Sequence, residues 1–155
     1  MSAGSRVHCL DREVAAYLAG LIDGEGTITL CHEHRGTRRG LVVSISNTDR
    51  ALLQFVLDVV GAGCITTKRT YAANHTPSFS YKIAKRQALD LLVQVASYLK
   101  TYRAKRALLA LDRYVAVTPR NGKYSTDLSR MKDKFERDFL AIGPGPRNAR
   151  GRSSG

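Results

Sequence analysis

Two stretches of strict apolar–polar alternation, each folded back around a short loop, most constrain what this chain can become. The first pairs TITLCHEH (27–34) with LVVSISN (41–47) across RGTRRG. The second pairs CITTKRTY (64–71) with SFSYKIA (78–84) across AANHTP. Period-two alternation marks a half-buried strand, and two such runs around a short loop read as a hairpin. Helical spacing surrounds them. In REVAAYLAGLI, behind Asp11 as N-cap, Val14, Tyr17, Leu18, Leu21 and Ile22 recur on the helical period, and DGEG is expected to stop the helix. Leu52, Leu53, Val56 and Val60 stripe the next helix, capped by Thr48 or Asp49 and ended by Gly61 or Gly63. KRQALDLLVQVASYL and RAKRALLALDRYVAV follow, the second closed by Pro119, and a last helix is expected over 126–141. The order α-β-β-α-β-β-α plus C-terminal helices predicts an α+β fold, an antiparallel sheet with helices on one face.

The chain is long enough for one ordinary core: 155 residues, 43% hydrophobic. We expect a domain over 11–142, a flexible leader over 1–10 and a flexible basic tail over 143–155. Lys and Arg number 25 against 13 Asp and Glu, a net charge of +12. Residues 100–155 alone hold 14 basic against 5 acidic side chains. Such a surface fits nucleic acid, an anionic membrane or a ribosome-associated role. No apolar stretch is long enough to span a membrane, and the N-terminus has no apolar signal region, so an intracellular, non-secreted protein is expected. Three scattered cysteines (Cys9, Cys31, Cys64) make neither a disulfide framework nor a zinc motif.

One face of each strand is small and polar: Thr27, Thr29, Cys31 and Glu33; Ser44 and Ser46; Thr66, Lys68 and Thr70; Ser78, Ser80 and Lys82. Arg35, Arg38 and Arg39 lie in the first turn. The pattern describes a solvated sheet face and a groove-reading β-ribbon equally well. In Leu18-Ala19-Gly20-Leu21-Ile22-Asp23-Gly24-Glu25-Gly26 a helix ends and two carboxylates follow at once. A helix C-terminus disfavours carboxylates. A divalent cation held by oxygen ligands would offset that cost, and an ordinary helix with an Asp-Gly turn is the other reading. Ala15/Ala19 and Ala16/Gly20, each four apart, would let another helix backbone approach closely.

LAGLIDGEG resembles the signature of the LAGLIDADG homing endonucleases at nearly every position. The element order over residues 11–117, the phrase Ile45-Ser46-Asn47-Thr48-Asp49 and the glycines Gly61 and Gly63 look like family landmarks. The resemblance implies a saddle-shaped sheet and a site-specific, intron- or intein-encoded DNA endonuclease. It implies a metal, Mg²⁺ with Mn²⁺ or Ca²⁺ able to occupy the same sites, held by Glu25 with help from the Gly24 carbonyl. The family more often has Asp where Glu25 stands. Asp23 matches a position used for capping and structure. A single motif implies a homodimer packed through Ala15, Ala16, Ala19, Gly20 and Asp23, on a nearly palindromic double-stranded DNA site. The polar strand residues and turn arginines would then contact DNA. By alignment Asn47 and a basic residue complete the site: Arg103 first, then Lys100 or Lys105, with Arg50 a further candidate. An intron RNA maturase or a non-cleaving nucleic-acid-binding protein is the alternative within the family. A basic structural or ribosome-associated RNA-binding protein is the alternative outside it.

Overall fold

A computed structural model describes residues 6–36, 38–68 and 76–145. The expectations for Thr70, for the first five residues of the leader and for the tail beyond 145 lie outside the described residues. The elements are α1 (Arg12–Glu25), β1 (Gly26–Cys31), β2 (Gly40–Asn47), α2 (Arg50–Val60), β3 (Cys64–Lys68), β4 (Ser78–Ala84), α3 (Lys85–Val95), α4 (Tyr102–Arg113) and α5 (Thr126–Ala141). A short 3-10 turn, Ala96–Tyr98, follows α3.

The four strands form one antiparallel sheet in the order β1-β2-β4-β3. Its register sorts the side chains into two faces. Ile28, Val43 and Ile83 share a row, as do Ile45, Tyr81 and Ile65. These apolar rows carry most of the sheet's buried residues and meet Leu18 and Ile22 of α1, Leu53 and Val56 of α2, and Leu92 of α3 in one core. On the other face Thr27, Ser44, Lys82 and Cys64 form one row. The α+β fold expected from the alternation is the fold observed.

Three expectations need correction. The motif helix does not stop at Asp23-Gly24; it runs through Glu25. Gly26 is needed for space, since a Cβ there would lie 2.8 Å from the Ile22 Cα and 2.9 Å from the Ser44 carbonyl oxygen. That close approach presses the first residue of β1 against α1 and β2. Second, β1 ends at Cys31, so Glu33 lies beyond the strand. Third, α4 ends at Arg113, six residues before Pro119. The α2 ends follow the sequence: the Asp49 side chain accepts from the Ala51 N–H at 3.0 Å, and Gly61 closes the helix at φ 79°.

The described part of the leader is held in place. His8 N–H donates to the Val60 carbonyl at 2.8 Å, and Gln94 exchanges hydrogen bonds with Leu10 N–H and the His8 carbonyl. Val7 and Leu10 pack against the core. At the other end Arg106 donates to the Ile28 and Ile142 carbonyls, tying α4 to β1 and to the end of α5.

Candidate active site

The last turn of α1 is the chemical focus. Glu25 is exposed, and its Oε2 accepts from the Asn47 Nδ2 at 2.6 Å. Asn47 ends β2, and its own Oδ1 accepts from the Asp49 N–H at 2.7 Å. A backbone donor can meet only the amide oxygen, so this second bond turns the NH₂ toward Glu25. The strand end thus aims the amide and the amide aims the carboxylate.

Asp23 points the other way. Its carboxylate accepts from Lys100 N–H at 2.7 Å, Thr101 N–H at 3.2 Å and Thr101 Oγ1 at 2.5 Å. Burial alone would raise its pKa. These bonds, with Arg103 nearby, outweigh that and hold it below the usual carboxylate range. Asp23 therefore seats the start of α4 within its own chain, in line with a capping role.

Arg103 completes a reciprocal lock. Its Nε donates to the Gly26 carbonyl at 2.8 Å and its Nη1 to the Asp23 carbonyl at 3.1 Å and Thr101 Oγ1 at 3.3 Å. The guanidinium also lies 4.8 Å from the Tyr102 ring centroid. A cation placed on orphan carbonyls at a helix C-terminus neutralises the dipole's negative end. The first candidate for the site's basic residue is thus engaged in holding the helix end. Lys100 and Lys105 are both exposed, and the backbone of Lys100 sits directly on Asp23. Arg50 lies on α2, where it donates to Gln54 at 3.3 Å.

The small residues of α1 divide between two faces. Ala15 and Ala19 are buried in the core with Leu18 and Ile22, which removes both from the expected interface. Ala16, Gly20 and Gly24 are exposed, and a Cβ at either glycine would meet nothing within 4 Å. Beside them Tyr17 and Phe55 are exposed and pack edge to face at 5.8 Å. Sequence alone does not reveal this pair, because Tyr17 falls on the helical period of the core stripe.

Among the described residues no three of His, Cys, Asp and Glu gather at one point. What this end of α1 does offer is oxygen: an exposed carboxylate on Glu25 and, one residue earlier, a last-turn carbonyl on Gly24 that lies beyond the helix's own ladder. Hard oxygen donors of this kind fit Mg²⁺, Mn²⁺ or Ca²⁺.

The polar sheet face adjoins this end. Thr27, Cys31, Thr66, Lys68 and Lys82 are exposed, and Thr29, Ser44, Ser46 and Ser78 are half-buried. Thr27 and Ser44 share a hydroxyl hydrogen bond of 2.6 Å. Ser80, on a central strand, is only 2% exposed beneath Ser46 and Thr66, so it leaves the expected contact set. Arg35 is exposed at the turn. Glu33 pairs with Lys85 at 2.9 Å, which lowers its pKa. Arg38 bonds to Asp133 and Ser129 of α5 and lies 5.2 Å from the Tyr124 ring centroid. Its guanidinium braces the turn instead of facing outward. Arg39 makes a long 3.4 Å contact to the Leu30 carbonyl.

The four-stranded antiparallel sheet thus bears one polar face, and α1 ends beside it in the exposed carboxylate of Glu25. The LAGLIDADG-like domain model matches residues 12–105, and the chain belongs to that family. Solved structures show the same fold. Homing endonuclease I-CvuI, solved with its target in the presence of 2 mM Ca, is 16% identical at a TM-score of 0.69, covering 88% of this chain and 85% of that one. The archaeal intron-encoded homing endonuclease I-Vdi141I, complexed with DNA, is 18% identical at 0.66, covering 86% of each. The LAGLIDADG homing endonuclease I-GzeII, in complex with its DNA target, is 15% identical at 0.56, covering 86% of this chain and 51% of that one. No curated protein matches.

Proposed function

We propose that this protein is a site-specific homing endonuclease that acts as a homodimer on a long, nearly palindromic DNA site and makes a metal-dependent double-strand break. The observation that carries this reading is the Asn47–Glu25 hydrogen bond at 2.6 Å, which orients an exposed carboxylate at the end of the motif helix. The dimer reading rests on the exposed Ala16, Gly20 and Gly24 stripe with Tyr17 and Phe55 beside it. It gains support from I-GzeII, where a match over 86% of this chain spans only 51% of the longer one.

Two protomers related about that stripe bring two Glu25 carboxylates toward one axis and set two polar sheet faces side by side. Each sheet reads one half-site in the major groove, whose width of about 12 Å admits a β-ribbon. Thr27, Thr29, Cys31, Ser44, Ser46, Thr66, Lys68, Ser78 and Lys82 face the groove, with Arg35 and Arg39 at the outer turn. Glu25 and the Gly24 carbonyl would hold the divalent cation; structures of I-CvuI with DNA were obtained with Mg and with Ca. When bound, that ion supplies the charge and the activated water that phosphodiester hydrolysis needs. Asn47 keeps the Glu25 rotamer fixed. Asp23 and Arg103 hold the helix end rigid, and the exposed Lys100 offers positive charge to the phosphate.

The test uses the full chain and a plasmid library of candidate sites that includes the intronless host-gene site, with Mg²⁺ or EDTA. A discrete double-strand cut that needs Mg²⁺ and disappears in Glu25→Gln is expected. Intact plasmid at every site, together with tight intron RNA binding, would overturn the nuclease in favour of a maturase.

A further inference from the structure

At the end of the sheet away from Glu25 lies a crevice of about 850 Å³, between the β1–β2 turn, the start of α3 and the α4–α5 linker. Five basic side chains line it, Arg38, Arg39, Lys85, Arg86 and Arg120, against one acid, Glu33. Glu33 is already paired with Lys85, and Arg38 with Asp133. Among the described residues no carboxylate pairs with Arg39, Arg86 or Arg120. Arg86 is held on the Thr118 carbonyl at 2.9 Å, which uses one donor of its fork and leaves the others. Lys85 is the one non-glycine described residue with positive φ, at 57°. That backbone turns β4 sharply into α3 and brings Arg86 to the crevice. Tyr114 and Tyr124 complete the wall.

Three guanidinium groups gathered without a counter-charge repel one another. Planar forks of this kind match phosphate oxygens two at a time. The crevice is also continuous with the polar sheet face. Gly40 and Ala84 line it, and Ala84 shares a row with Val42 on the face that carries Ser44 and Ser46. Resting on the DNA-binding reading above, we propose that this crevice is a phosphate-binding pocket, occupied in the complex by a backbone phosphate at the outer end of each half-site. It positions the duplex without reading bases, roughly 20 Å from Glu25 along the six residues of β1.

The experiment measures duplex affinity against salt by fluorescence anisotropy in EDTA, for wild type, Arg120→Gln and Arg39→Gln. One duplex is unmodified. The other carries neutral methylphosphonates at the outermost positions of each half-site. Arg120 is exposed and holds no other element, so its variant should fold as wild type does. On the unmodified duplex the log–log salt slope should fall by about 0.9 for each phosphate the variant no longer neutralises. On the neutral-flank duplex Arg120→Gln should match wild type. Unchanged slopes in both variants would overturn the proposal. Inorganic pyrophosphate that then binds the DNA-free protein but not Arg120→Gln would assign the pocket to a free phosphate compound instead of DNA. Because the binding assay contains no divalent metal, a protein that binds but never cuts refutes the nuclease reading and leaves this one standing.

Discussion

Lys132 makes a prediction that the geometry quantifies. It is 0% exposed on α5, donates to Thr118 Oγ1 at 2.8 Å, and sits 4.6 Å from the Tyr114 ring centroid. Burial drives its pKa from an ordinary 10.5 down to about 8; Glu136 pushes it up and Arg38 pushes it down. Because the folded value lies below the unfolded one, the unfolded chain keeps this proton between about pH 8 and 10.5 and the folded chain sheds it. Stability therefore rises with pH across that window. At about 1.4 kcal/mol per pH unit the gain from this one group is roughly 3 kcal/mol between pH 7 and 10.5. Lys132→Met keeps the apolar stem and removes the proton. Urea unfolding of both proteins at half-unit steps isolates the effect, since every other titrating group cancels in the difference. The stability of wild type relative to the variant should climb by that amount, mostly above pH 8. Parallel curves would refute the assignment of a buried, charge-destabilised lysine.

Two further outcomes follow from α1. Gly20→Leu should leave the folded protomer intact, because Gly20 is exposed and a Cβ there meets nothing within 4 Å, and gains up to about 1 kcal/mol of helix propensity. Sedimentation should nonetheless show a monomer; an unchanged dimer mass would refute the interface. Asp23→Ala removes the acceptor for Lys100 and Thr101 and should cost about 2 kcal/mol. Since the folded pKa of Asp23 is depressed, its contribution is present above the ordinary carboxylate value. The difference between the proteins should shrink as pH falls through the carboxylate range, and urea melts at pH 7 and pH 3 check this.

Much of the architecture is legible because it follows from local periods. Alternation places Thr27, Ser44 and Lys82 on one face, and the register puts them in one row. Ser80 escapes because period two reports which face a residue occupies, not what lies over it in a central strand. The two alanine faces of α1 are separable in principle. Ala15, Leu18, Ala19 and Ile22 follow the three-four spacing of a core stripe, which leaves Ala16, Gly20 and Gly24 outside; grouping all the small residues together obscures this. The motif leads to Glu25, and the end of β2 leads to Asn47. The partners of Arg103 and Arg38 are not legible in the sequence for one reason. An arginine's role depends on which carbonyl or carboxylate folds against it, and their partners lie 77 to 95 positions away in sequence.

That long reach also orders events in time. Glu25 is only as well placed as the helix turn beneath it, and that turn is clamped by residues 100, 101 and 103. A nascent chain that has passed the motif but not yet released α4 has the carboxylate without its clamp. Synthesis alone therefore keeps the centre unassembled until nearly two thirds of the chain has emerged. Any fragment ending before Thr101 should therefore carry Glu25 on an unclamped helix end.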